Sequence, residues 1–154
     1  MKYIGIIFFA VIVSACVSQS VTKVDSDIYN ANFSSSGLEE RKSKITVWLV
    51  DKPGRDLAVS FEERDDSFSG VKWAINISSK NSAEFRRVLH EIYSSGSKEP
   101  LSFSLNGGDM SIFELNTKQH VVVSSHLNIL TFYKADLPEI INILEQLESL
   151  AAQK

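Results

Sequence analysis

An α+β fold, with an antiparallel sheet of about six or seven strands and two helices packed on it, is the expectation for this chain of 154 residues. Three observations carry it. Apolar residues alternate with period two over several short runs between residues 45 and 133. Each group of such runs is followed by one stretch with the 3.6-residue period of an amphipathic helix. Strands gathered into runs and closed by a helix point to segregated α+β packing, not to a parallel sheet built from alternating strands and helices.

The first group begins with ITVWLV (45–50), the turn DKPGRD and LAVSFEE (57–63). Leu57, Val59 and Phe61 fall on one face, Ala58 and Ser60 on the other, and Pro-Gly between two alternating runs is hairpin chemistry. After the polar RDDSFSG, VKWAINI (71–77) places Val71, Trp73, Ile75 and Ile77 on one face. A helix is predicted next, with Asn81 as its cap and Glu84 three residues on in the capping-box position. Phe85, Val88, Leu89, Ile92 and Tyr93 form its apolar stripe, and SSGSKEP ends it.

The second group repeats the plan. PLSFSLNGGDMSIFEL holds a strand, an Asn-Gly-Gly-Asp turn and another strand, while HVVVSS and NILTFY supply one or two more. Asp136 is placed to cap a last helix, with Pro138 tolerated in its first turn and Glu139 in the capping-box position. Leu137, Ile140, Ile141, Leu144 and Leu147 make its stripe, widened by Ile143 and Leu150. Strands then helix therefore occur twice with little residue identity, the pattern of a duplicated unit. In topology only, this order resembles the Whirly and PUR folds, which bind single-stranded nucleic acid. No motif accompanies the resemblance, and fold alone does not carry function.

The chain in front of the domain has a different character. Lys2 gives a positive start, every residue from Ile4 to Val13 is apolar or glycine, and the small Ser14 and Ala15 follow. A run this short falls well below the roughly 20 apolar residues needed to span a bilayer, and its layout is that of an export signal. Its last four residues, Val13-Ser14-Ala15-Cys16, resemble the lipobox of bacterial lipoproteins. The resemblance covers the first sixteen residues. It implies cleavage before Cys16, with that residue carrying a thioether-linked diacylglycerol and an acylated amine. Val17, where an Asp would signal inner-membrane retention, implies the periplasmic leaflet of the outer membrane if the envelope is Gram-negative. As the one cysteine of the chain, Cys16 leaves no internal disulfide to form.

The expected organisation is thus a signal peptide over 1–15, a lipidated cysteine and Ser-rich tether over 16–37, and one α+β domain over 38–154. The segment VSQSVTKVDSDIYNANFSSSG lacks regular periodicity, as a flexible linker does, although Ile28, Tyr29 and Phe33 suit an N-terminal arm packed on the domain. The net charge of −3 becomes −4 once residues 1–15 and their Lys2 are removed. That mild acidity offers no broad positive field for nucleic acid, and export opposes a nucleic-acid partner independently.

Chemistry is harder to find. His120 and His126 share a face on one uninterrupted strand but would stand roughly 20 Å apart, too far to share a metal. His90 reads as an edge or surface residue of the first helix. No serine sits in G-x-S-x-G or S-x-x-K, and Gly107-Gly108 lacks the lysine and helix of a phosphate loop. Glu62-Glu63-Arg64-Asp65-Asp66 reads as a solvated connection between strands. The expectation is no catalytic residue, no metal, and no cofactor beyond the covalent lipid on Cys16. Trp48 and Val50 stand out, because the alternation that turns Ile45, Val47 and Leu49 toward the helices turns these two outward. They make a small apolar site for a partner, or a surface for Tyr29 or Phe33 of the arm to cover. The function expected is that of a lipid-anchored, non-enzymatic domain binding another envelope protein. Binding of a small molecule, lipid or glycan is the alternative, and an envelope hydrolase a more distant one.

Overall fold

The computed structural model describes residues 19–33, 40–64, 70–95, 100–105, 108–115, 119–125 and 128–154. Cys16, His126, Asp65 and Asp66 lie outside them. The architecture is α+β, with β1 (Ser20–Val24), β2 (Tyr29–Phe33), β3 (Glu40–Asp51), β4 (Ala58–Arg64) and β5 (Val71–Ser78) leading into α1 (Ser79–Ser95). Then come β6 (Leu101–Leu105), β7 (Gly108–Glu114), β8 (His120–Ser125), β9 (Asn128–Tyr133), a 3₁₀ turn (Lys134–Asp136) and α2 (Leu137–Ala151). The order strands-then-helix occurs twice. The sheet runs β5-β4-β3-β2-β9-β8-β7-β6, with β1 paired to β3 off that path, and every pairing is antiparallel.

The nine strands among the described residues exceed the expected six or seven, and the two extra ones come from the segment assigned to the tether. β3 is twelve residues long. Its first half pairs with β2 and its second half with β1, so the arm follows it along nearly its whole length. The sheet therefore starts at Ser20, well before residue 38. Composition hid these strands for a physical reason. β1 is mostly exposed, and β2 directs polar Asn30 inward where an apolar residue would have signalled a strand.

Between sheet and helices lies one apolar cluster. Ile45, Val47, Val59, Phe61, Ile75 and Ile77 of the first half meet Met110, Ile112, Val121, Val123, Leu130 and Phe132 of the second. Phe61 and Phe132 join the halves edge to face, their ring centroids 5.9 Å apart. The helix stripes are buried as expected, except for Tyr93 and Leu150, which are 46% and 43% exposed and lie outside the core. Arg86 ties the helices together, its Nε and Nη2 donating to the two oxygens of Glu148 at 3.1 and 3.0 Å and its Nη1 to Glu145 at 3.3 Å.

The start of α1 differs from expectation, whereas α2 begins after Asp136 as expected but without a side-chain cap. α1 follows β5 without a break, so Asn81 lies inside the helix and not at its cap. Asp136 precedes α2 but is itself in the αR conformation (φ −87°, ψ −10°) because a 3₁₀ turn leads into the helix, and its side chain makes no capping bond. Its Oδ2 instead accepts from Tyr29 N–H at 3.0 Å, and Glu139 Oε1 accepts from Asp27 N–H at 3.0 Å. The carboxylates read as caps hold the arm in place.

Candidate functional site

The outer face of β1, β3, β4 and β5 carries Trp48 and Val50. Val47 and Leu49 point to the helices, and the period of two turns their neighbours away from them. Across the sheet, Trp48 lies opposite Lys23 and Ser60, and Val50 opposite Val21 and Ala58. Ser60 and Ala58 are small, so no bulky neighbour fills the space beside the indole. The result is a depression of about 300 Å³ bordered by Trp48, Val50, Val21, Glu62, Arg64 and Asn76. A second, of about 590 Å³, adjoins it through Val50, Lys52 and Asn76 and reaches Arg55 and Lys80. Tyr29 and Phe33 do not cover Trp48. They pair with Lys44 and Glu40, at the opposite end of β3.

Polar groups surround the indole. The Arg64 guanidinium stands 5.4 Å from the Trp48 ring centroid, a cation–π distance, and Arg64 Nη2 is 3.7 Å from Glu62. Glu62 accepts in turn from Ser60 Oγ at 3.1 Å. Trp48 Nε1 itself is shielded from solvent, with no hydrogen-bond acceptor among the described residues. Buried indole N–H groups are ordinarily paired, and leaving one unpaired costs about 1–3 kcal/mol. An aromatic side chain beside an apolar wall suits the recognition of an apolar side chain.

His120, weighed for metal binding and set aside, is 3% exposed on the outer face of β8. Its ring packs edge-on to Phe33 at 5.3 Å and tilted to Tyr133 at 5.0 Å, with Nε2 3.4 Å from Glu40 Oε1. Tyr133 Oη donates to the same carboxylate. That bond holds the Glu40 carboxyl below its ordinary range. Burial, followed by the Glu40 contact, pushes the Tyr133 phenol up to about 12. Lys42 Nζ lies 3.8 Å from the Tyr29 ring centroid and 5.1 Å from that of Tyr133. With aromatic carbon against the imidazole, the cluster serves to fasten β2 beside β8 and β9. His90 is exposed on α1.

Glu63 was invisible to pattern reading. Assigned to a solvated connection, it lies within β4 and is 3% exposed. Asn30 Nδ2 donates to Oε2 at 2.9 Å, while Asn32 Nδ2 and Ser43 Oγ donate to Oε1 at 2.7 and 2.6 Å. Asn30 Oδ1 accepts from Thr131 N–H at 2.6 Å, which carries the network from β4 across β3 and β2 to β9. One signal was present, since Glu63 continues the inward parity of Val59 and Phe61.

Among the described residues no group of three metal-ligating side chains gathers, and no helix is long and apolar enough to cross a membrane. No protein-family model and no curated relative matches the chain.

Proposed function

We propose that this chain is a lipid-anchored protein of a bacterial envelope whose α+β domain binds another envelope protein, without catalysis, through the outer sheet face at Trp48 and Val50. The observation that carries this reading is the half-buried Trp48 side chain beside Val50 in the wall of an open depression on the outer sheet face. A partner segment supplying an apolar side chain would fill that depression against Trp48 and Val50. The space between sheet and helices is occupied by one continuous core cluster, which favours binding at the surface over binding in a cavity between the layers. Cys16 carries the lipid, and the protein faces the periplasm from the outer membrane if the envelope is Gram-negative. Its roles are those of an assembly accessory, an inhibitor of an envelope enzyme, or an exclusion factor. Anchoring concentrates a modest binder near membrane partners.

Crosslinking in intact cells, followed by mass spectrometry, tests this with the native protein and a Trp48→Ala variant of unchanged circular dichroism. A dominant protein partner that disappears with Trp48→Ala supports the reading. The same partner at the same yield in both would remove Trp48 from the interface.

A further inference from the structure

We infer that the Ser20 end of the sheet rests on the bilayer, with Lys52 and Arg55 against anionic lipid headgroups. This rests on the lipid-anchor reading proposed above. Cys16 precedes Ser20 by four residues, and four residues of extended chain span at most about 14 Å. Ser20 pairs with Asp51, so the turn over 52–55 lies at the same end of the sheet as the anchor. β3 runs toward this end, and Glu40 at its start is about 36 Å distant along the strand. A short reach from the lipid therefore selects which end of the domain meets the membrane.

That end has matching chemistry. It gathers Lys52, Arg55, Lys80 and Lys154 against Asp51 and Asp56, in a chain whose net charge is −3. Lys80 is 3.0 Å from Asp56, and Lys154 pairs with Asp51. Lys52 and Arg55 are exposed, with no ion-pair partner among the described residues. They flank a turn in which Arg55 N–H donates to Lys52 C=O at 3.1 Å, and Gly54 takes the positive φ of 69° that the second central position of a type II turn requires. Basic side chains are drawn to an anionic leaflet only within about one Debye length, near 10 Å, and a reach of at most about 14 Å from the anchor lets these two come into that range. The Trp48 depression shares Val50 and Lys52 with the depression at this end of the sheet, so in this orientation it lies near the membrane.

The test uses the full lipidated protein in vesicles of phosphatidylcholine mixed with phosphatidylglycerol, doped with a headgroup-nitroxide lipid. A fluorophore is attached through Pro53→Cys in one sample and Arg41→Cys in another. Quenching at position 53 is expected to exceed that at position 41 at least about twofold, because a headgroup nitroxide quenches only at short range and the Glu40 end of β3 lies about 36 Å farther along the strand. The excess is expected to fall by half or more in K52E/R55E and in vesicles of phosphatidylcholine alone. Equal quenching at the two positions, or an excess unchanged in K52E/R55E, overturns the inference. The mass of the amino-terminal peptide from the same samples is read alongside. An unmodified Cys16 would defeat the anchor reading itself, whereas a lipidated Cys16 with equal quenching would defeat only the orientation.

Discussion

Replacing Glu63 with alanine removes the acceptor for at least three donors at once: Asn30 Nδ2, Asn32 Nδ2 and Ser43 Oγ. The two amides keep second contacts, Asn30 Nδ2 to Asn32 Oδ1 at 3.1 Å and Asn32 Nδ2 to Ser43 Oγ at 2.8 Å, while Ser43 Oγ loses its acceptor. At about 1 kcal/mol for each partly compensated donor and somewhat more for the hydroxyl, the loss comes to about 3 kcal/mol. For a domain of this size that is a fall of about 10 °C in Tm. Glu63→Gln is expected to cost less, about 1–2 kcal/mol, because glutamine keeps one acceptor oxygen while its amide meets a donor with a donor. Asn30 has little freedom to turn over and relieve that clash, since its Oδ1 is held by Thr131 N–H. Urea denaturation of the two variants, with exposed Glu84→Gln as a control expected to lie within about 0.5 kcal/mol of the parent, measures the difference. Hydrogen exchange adds a local readout, with Thr131 N–H losing protection in Glu63→Ala. A cost below about 1 kcal/mol, with Thr131 still protected, would refute the claim that this carboxylate organises the join between β4 and β9.

Trp48→Phe keeps most of the apolar surface and deletes the unpaired N–H, so stability in denaturant should stay level or rise. Trp48→Ala should weaken binding to the crosslinked partner about 30-fold, the effect of a 2 kcal/mol hot spot, as read by titration of the purified pair. Arg86→Ala breaks a bidentate contact between α1 and α2 and should cost about 1 kcal/mol at low ionic strength, with the difference shrinking in added salt as denaturation curves would show. Tyr133 couples stability to alkaline pH. Its phenol rises from 10 to about 12 on folding, so its contribution is complete below pH 10 and is lost as pH climbs toward 12. Tyr133→Phe should flatten the stability profile across that window, whereas an unchanged slope would place the linkage elsewhere.

The strands and helices that bury apolar residues at regular spacing were legible in the sequence. β3, β4 and β5 alternate, and Phe85, Val88, Leu89 and Ile92 repeat with the helical period, because burial on one face writes that period into the chain. Those held by polar groups were not. β2 earns its place through Asn30 and Asn32 reaching Glu63, and through Tyr29 and Asp27 N–H groups reaching Asp136 and Glu139. Among these residues Tyr29 alone carries an apolar signal, and every one of these contacts spans at least thirty residues of chain. The Asp136 side chain misled for a related reason, since a carboxylate before a helix fits both a cap and an acceptor for a distant strand. The outward direction of Trp48 and Val50 followed from parity alone. Whether the arm covered them did not, because that depended on how β1 and β2 divide the edge of β3.

Site-specific photocrosslinking in living cells tests the central claim most directly. A photoreactive residue at Val50, in the wall of the Trp48 depression, is compared with one at Gln146, exposed on α2. The expected result is one discrete protein adduct from position 50, absent from position 146 and lost when Trp48→Ala is introduced alongside it. No adduct from position 50, or the same adducts from both positions, would contradict a binding role for this face.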